Sequence, residues 1–173
     1  MSRRESPNRL PRCLCRGWIA AQVIALLAGL ATAQAQAAAP WSLDLNATSY
    51  HTRAWARRQL NQNNPGLGLE YQFNPDWAVM GGLYRNSYRR ETGYALGVWT
   101  PVRMGLPWGA TASAGLAAGL VSGYRRAEVA TEPFAAGAVL RLRTAQGVGL
   151  NFLAVPNTQS GSGFVGVQLV ATF

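Results

Sequence analysis

Gly66-Leu67-Gly68-Leu69-Glu70-Tyr71-Gln72-Phe73 alternates without a break, and Asn74-Pro75-Asp76 then stops it. Successive side chains of a strand point to opposite faces. Leu67, Leu69, Tyr71 and Phe73 therefore share one face, and Gly66, Gly68, Glu70 and Gln72 the other. The same period of two returns further along. Tyr94, Leu96 and Val98 alternate with Ala95, Gly97 and Trp99, and Phe134, Ala136, Ala138, Leu140 and Leu142 with Ala135, Gly137, Val139, Arg141 and Arg143. The last ten residues put Val165, Val167, Leu169, Ala171 and Phe173 on one face. Period two with one apolar face means strands.

Eight strands are predicted, at 42–52, 66–73, 77–86, 92–102, 110–121, 133–144, 148–156 and 164–173. Tight turns are expected at Asn74-Pro75-Asp76, around 105–109 and at Ala145-Gln146-Gly147. They alternate with longer or more polar connections near 53–65, 87–91, 122–132 and 157–163. Short turns at one end and larger loops at the other are the layout of an outer-membrane barrel. The fold expected is all-β, an eight-stranded antiparallel up-and-down transmembrane β-barrel. No segment after Pro40 is apolar for long enough to make a spanning helix. In lipid every backbone N–H and C=O must be paired within the protein, and a closed sheet does this with strands. Trp41, Tyr50, Trp77, Tyr84, Tyr88, Trp108 and Phe173 fall near strand ends, where an interfacial girdle would place them. The competing architecture is a soluble sandwich, which would need two such sheets face to face.

The first forty residues read differently. Arg3, Arg4, Arg9, Arg12 and Arg16 precede an apolar stretch from Trp18 to about Ala33, and small residues then alternate with Gln up to Ala37. A basic start, a short apolar run and an A-x-A site describe a secretory signal. Residues 1–37 are read as that signal and 38–173 as the barrel, in a bacterial outer membrane. Both cysteines, Cys13 and Cys15, fall in the signal. The remainder therefore has no disulfide and no thiol site, and with one histidine it lacks the donors of a zinc centre. Beyond residue 37 there are eleven arginines, no lysine and six acidic residues, a net charge of about +5. An exported basic chain meets anionic membrane surface rather than nucleic acid. No cofactor is implied, and Gly161-Ser162-Gly163-Phe164-Val165-Gly166 opens no helix on which a dinucleotide could sit.

Eight arginines gather at the loop end: Arg53, Arg57 and Arg58, then Arg85, Arg89 and Arg90, then Arg125 and Arg126. Guanidinium forks bind phosphate bidentately, although a solvated rim also tolerates charge. His51 ends the first strand, and Asn86-Ser87 closes the third at the same end. Histidine moves protons near neutral pH and serine is a nucleophile once a base activates it. The same residues also suit an exposed loop and a turn.

Taken together, Ser49-Tyr50-His51-Thr52-Arg53, the stretch from Asn61 to Gly68, Gly82-Leu83-Tyr84 with Asn86-Ser87-Tyr88, and Val155-Pro156 before the strand ending in Phe173 resemble the PagP-type lipid A palmitoyltransferases. These are eight-stranded outer-membrane barrels. The resemblance implies acyl transfer from phospholipid to lipid A, with outer-membrane lipids as partners and a monomeric barrel. It places the family's essential histidine on His51 as general base and its serine on Ser87 as nucleophile or hydrogen-bond donor. The family's aspartate falls on Asn86, which can orient an imidazole but cannot stabilise the imidazolium by charge. Arg53, Arg85 and Arg89 would hold substrate phosphate. Prolines that interrupt strand pairing let lipid enter such barrels sideways, and Pro65 and Pro156 take that place, with Pro133 comparable. Ala95, Gly97, Gly115 and Gly137 are expected on the inner face, leaving room for an acyl chain. A lipid hydrolase on the same barrel and a non-enzymatic, lipid-binding or structural barrel are the alternatives.

Overall fold

The alternating stretches form eight strands: β1 (Trp41–His51), β2 (Asn63–Gln72), β3 (Trp77–Arg85), β4 (Glu91–Gly105), β5 (Thr111–Val121), β6 (Phe134–Arg143), β7 (Val148–Val155) and β8 (Phe164–Thr172). The computed structural model describes residues 40–129, 132–159 and 161–173. The export signal expected over 1–37, with Cys13 and Cys15, lies outside the described residues. Each strand pairs antiparallel with the next, and β8 returns to β1, so the sheet closes. This is the eight-stranded up-and-down barrel expected from the alternation. The turns at 73–76, 106–110 and 144–147 share one end with the start of β1. The connections at 52–62, 86–90, 122–133 and 156–163 share the other. A short helix, α1 (Ala54–Gln59), occupies the first of these loops, where the sequence suggested only loop. Among the described residues no helix is long and apolar enough to cross a membrane.

Closure gives the sheet an outside that is broadly apolar. Leu67, Leu69, Val79, Leu83, Leu116, Leu120, Leu140 and Leu169 are all exposed there. Near the turn end Trp41 packs edge-on against Tyr71, Tyr71 against Phe73, and Trp77 stacks with Trp99. Tyr50 and Phe134 are exposed towards the loop end. Two expectations about faces need correcting. Ala95 and Gly97 point outward, while Tyr94, Leu96 and Val98 point in and join Ala78, Met80, Ala117 and Val139 in the interior. Tyr84 and Tyr88 line the interior cavity rather than a girdle. Alternation groups residues by face without saying which face is inside. Here the loop half of the lumen is apolar, and β4 turns its larger side chains into it.

The turn half of the lumen is closed by polar groups. Glu70 pairs with Arg141 and, at 3.5 Å, with Arg143; Arg141 also donates to Gln72 at 2.7 Å. Asn151 donates to Gln168 at 3.1 Å, Gln168 to Asn46 at 3.0 Å and to the Tyr94 hydroxyl at 3.3 Å. Gly68 makes room for that hydroxyl, since a Cβ there would meet it at 2.2 Å. The network spans β1, β2, β4, β6, β7 and β8. Buried charges persist when they are paired and hydrogen-bonded.

At the loop end two seams stop short. The β2–β3 ladder ends at Gly66–Tyr84 and the β6–β7 ladder at Ala138–Ala154. Continued by one step, the first would oppose Pro65 to Arg85. Continued by two, the second would oppose Pro156 to Ala136. Proline has no ladder donor. The two seams lie opposite each other in the ring.

Candidate active site

β1 begins with Ser42 and Asp44 inside and Leu43 and Leu45 turned away from the lumen. Unbroken alternation would send Ser49 and His51 outward. Against β8, Ala47 is left without a partner between Asn46–Gln168 and Thr48–Val167, and this bulge in β1 reverses the parity; against β2 the extra residue lies on β2. Ser49 and His51 are consequently buried, at 6% and 3% exposure. A bulge that re-aims a side chain beside a site is a recurrent use of the device.

Ser87 follows β3 by two residues. It is held in place through backbone and side chain: the Asn61 N–H donates to the Ser87 carbonyl at 3.0 Å, and the Asn64 amide donates to the Arg85 carbonyl at 3.0 Å. Its hydroxyl lies 3.0 Å from His51 Nε2. The two residues are 36 apart in the chain and meet only through closure of the sheet. His51 Nδ1 is buried without a hydrogen bond, with the Gly163 carbonyl as the neighbouring acceptor. The ring packs against Phe164.

Asn86 is not the orienter of the imidazole that its place in the sequence suggested. It is fully buried, and its Oδ1 accepts from the N–H groups of Tyr88 at 2.9 Å and Arg90 at 3.1 Å. Its Nδ2 donates to Thr92 Oγ1 and to the Gly123 carbonyl, each at 2.9 Å. Both ends of the amide are thus engaged away from His51. Gly123 has φ +79°, and a Cβ there would meet the Glu91 carbonyl at 2.2 Å, so the backbone can come this close only as glycine. Asn86 builds the turn that presents Ser87 and pins it to the next loop.

Below this pair lies a cavity of about 150 Å³. Met80, Leu96, Ala117 and Leu153 wall it, Asn46, Tyr94 and Gln168 floor it, and Gly137 and Pro156 bring it to the β6–β7 seam. Tyr88, Tyr124 and Glu128 cover it on the loop side. Tyr84 and Tyr124 share a 2.8 Å hydrogen bond, and Arg90 pairs with Glu128. Burial pushes the Tyr124 phenol above its ordinary range, and Tyr84 beside it adds to the shift. The roof is therefore neutral at the phenols and charge-compensated at Arg90.

The predicted substrate residues separate. Pro65, Arg85 and Arg89 come together with Asn61 and Asn63 in a polar notch at the β2–β3 seam. Pro156 sits across the barrel at the other seam. Arg53 joins neither, since its guanidinium donates to the Thr158 carbonyl at 2.8 Å and ties the first loop to the last. Of the small residues, Gly137 lines the cavity, whereas Ala95 and Gly97 do not. Sequence reasoning missed Asn64 and the floor network. It also gave Ser49 no role, although its place two residues before His51 puts both on one face.

No protein-family model matches the chain, and no curated protein matches it.

Proposed function

We propose that the chain is an outer-membrane enzyme that transfers a fatty acyl chain from a phospholipid to lipid A or a related lipid, as its resemblance to the PagP-type barrels suggests. The observation that carries this reading is a serine–histidine pair, 3.0 Å apart, at the head of an apolar cavity. The apolar exterior and the closed ladder suit a barrel surrounded by lipid.

The chemistry follows from the pair. His51 Nε2 takes the Ser87 proton as Ser87 Oγ attacks the ester carbonyl of a bound phospholipid. The ester C–O bond breaks, the lysophospholipid oxygen takes the proton from His51, and the acyl chain is left on Ser87. A hydroxyl of the acceptor lipid then attacks that ester and gives its proton to His51; the bond from the acyl carbon to Ser87 Oγ breaks, and His51 returns the proton to Ser87 Oγ. The tail lies in the cavity, where burial of apolar surface contributes about 0.8 kcal/mol per CH₂. The β6–β7 seam at Pro156, which borders the cavity, is the lateral opening, and the exposed Arg85 and Arg89 beside Pro65 suit a phosphate.

Mass spectrometry of lipid A from cells with and without the protein tests the proposal. Gain of one acyl mass, lost in His51→Ala and in Ser87→Ala, is the expected result. Loss of an acyl mass would make the protein a hydrolase, and an unchanged spectrum a non-enzymatic barrel. Full activity in both variants would reject the site.

A further inference from the structure

Ser87 has a second hydroxyl beside it. Ser49 Oγ lies 3.5 Å from Ser87 Oγ, and both groups are buried. The Ser49 hydroxyl donates at 2.6 Å to Asn64 Oδ1, and Asn64 is itself anchored through Nδ2 on the Arg85 carbonyl. Asn64 precedes Pro65 where the β2–β3 ladder has ended, so this side-chain amide joins β1 to the end of β3 in place of the missing rung. Ser49, Asn64, His51 and Ser87 all border the apolar cavity.

The arrangement gives the two side chains beside the Ser87 hydroxyl different roles. Its proton has one close acceptor, His51 Nε2. Ser49, whose own proton is taken by Asn64, competes only weakly as an acceptor at the longer distance. Once Ser87 begins to lose its proton, its oxygen gathers negative charge and becomes a stronger acceptor than the neutral amide of Asn64. A rotation of the Ser49 hydroxyl then moves its proton from Asn64 Oδ1 towards Ser87 Oγ without moving a heavy atom far. A donor aimed at charge that develops during reaction, in a site screened from water, contributes more than the same bond in the ground state.

We propose that Ser49 is a further catalytic hydroxyl that donates to the Ser87 oxygen as His51 deprotonates it, and that Asn64 is its positioning residue. This rests on the serine–histidine reading above. It adds a residue that neither the resemblance nor the sequence pattern singled out.

The test uses the folded barrel in detergent and a long-chain alkyl fluorophosphonate. With this probe the Ser87 Oγ–P bond forms, the P–F bond breaks, the proton passes to His51 and fluoride leaves. Labelling is read by intact-protein and peptide mass spectrometry over a pH series. Folding of each variant is checked by the mobility shift between unheated and heated samples. Ser49→Thr and Ser49→Val have the same shape and differ in the hydroxyl, so a packing effect cancels between them. Threonine is expected to label within about threefold of the native protein, and valine about 100- to 1000-fold more slowly, the range set by loss of one oxyanion-type donor. The pH midpoint, which reports His51, is expected to stay unchanged in both. Asn64→Ala is expected to slow labelling with the same unchanged midpoint. Equal rates for the threonine and valine variants, or a shifted midpoint, would overturn the role of Ser49 while leaving the His51–Ser87 reading in place. Absence of His51-dependent labelling at Ser87 in the native protein would overturn both.

Discussion

Asn86 shows how a residue's neighbours in space decide its part. The resemblance implied a part for it beside the imidazole, yet all of its hydrogen bonds lead to the turn that follows and to Thr92 and Gly123. Replacing it by aspartate would keep the acceptor for Tyr88 and Arg90. It would also set a carboxylate oxygen against the Gly123 carbonyl, where a donor now stands. We expect Asn86→Asp to lower unfolding stability by about 1–3 kcal/mol, the cost of an unsatisfied buried polar group, and to slow reaction at Ser87. Urea unfolding and fluorophosphonate labelling measure the two effects. Faster labelling in Asn86→Asp would instead mean that the side chain serves the imidazole directly.

Among the elements, the seams bear on how lipid would enter under the proposed function. Six of the eight pairings continue to the loop end, and the two that do not are next to Pro65 and Pro156. The β2–β3 seam is re-stitched by Asn64 and Asn61, whereas the β6–β7 seam borders the cavity. Lipid reaching the cavity from the side would therefore pass between β6 and β7. Cysteines at Ala136 and Pro156, joined by a short thiol cross-linker, should close that passage; no native cysteine lies beyond Cys15. Acyl transfer is expected to fall more than about tenfold on cross-linking and to return when a cleavable linker is cut, since access then limits the rate. The same linker across the fully paired Leu116–Ala138 position should leave the rate unchanged. Equal effects at both places would exclude passage through this seam.

For the molecule as a whole, the lumen divides into two compartments of opposite character. The apolar half holds the serine–histidine pair, and the polar half is filled by Glu70, Arg141, Arg143, Asn151 and Gln168. Buried charge of this kind stabilises only while every partner is present. Glu70→Leu strands two guanidinium groups and is expected to cost about 3–5 kcal/mol in urea unfolding, whereas the double change with Arg141→Met should recover much of that loss. A double variant no more stable than the single one would show that Arg143, not Arg141, is the principal partner of Glu70.

Strand number, order and antiparallel pairing were legible from the chain because alternation and turn residues are local, and an up-and-down barrel follows chain order. That His51 and Ser87 would lie together was expected only from the resemblance of the segments around them. The inward face of β4, the use of Asn86 and the role open to Ser49 were not. A period of two groups residues without assigning inside and outside, and one extra residue at Ala47 relative to β8 reverses the assignment for the rest of β1. Those choices depend on what the other seven strands bring into the lumen once the ring is closed. Only the closed barrel, with its limited interior and the partners that it offers to buried polar groups, decides them.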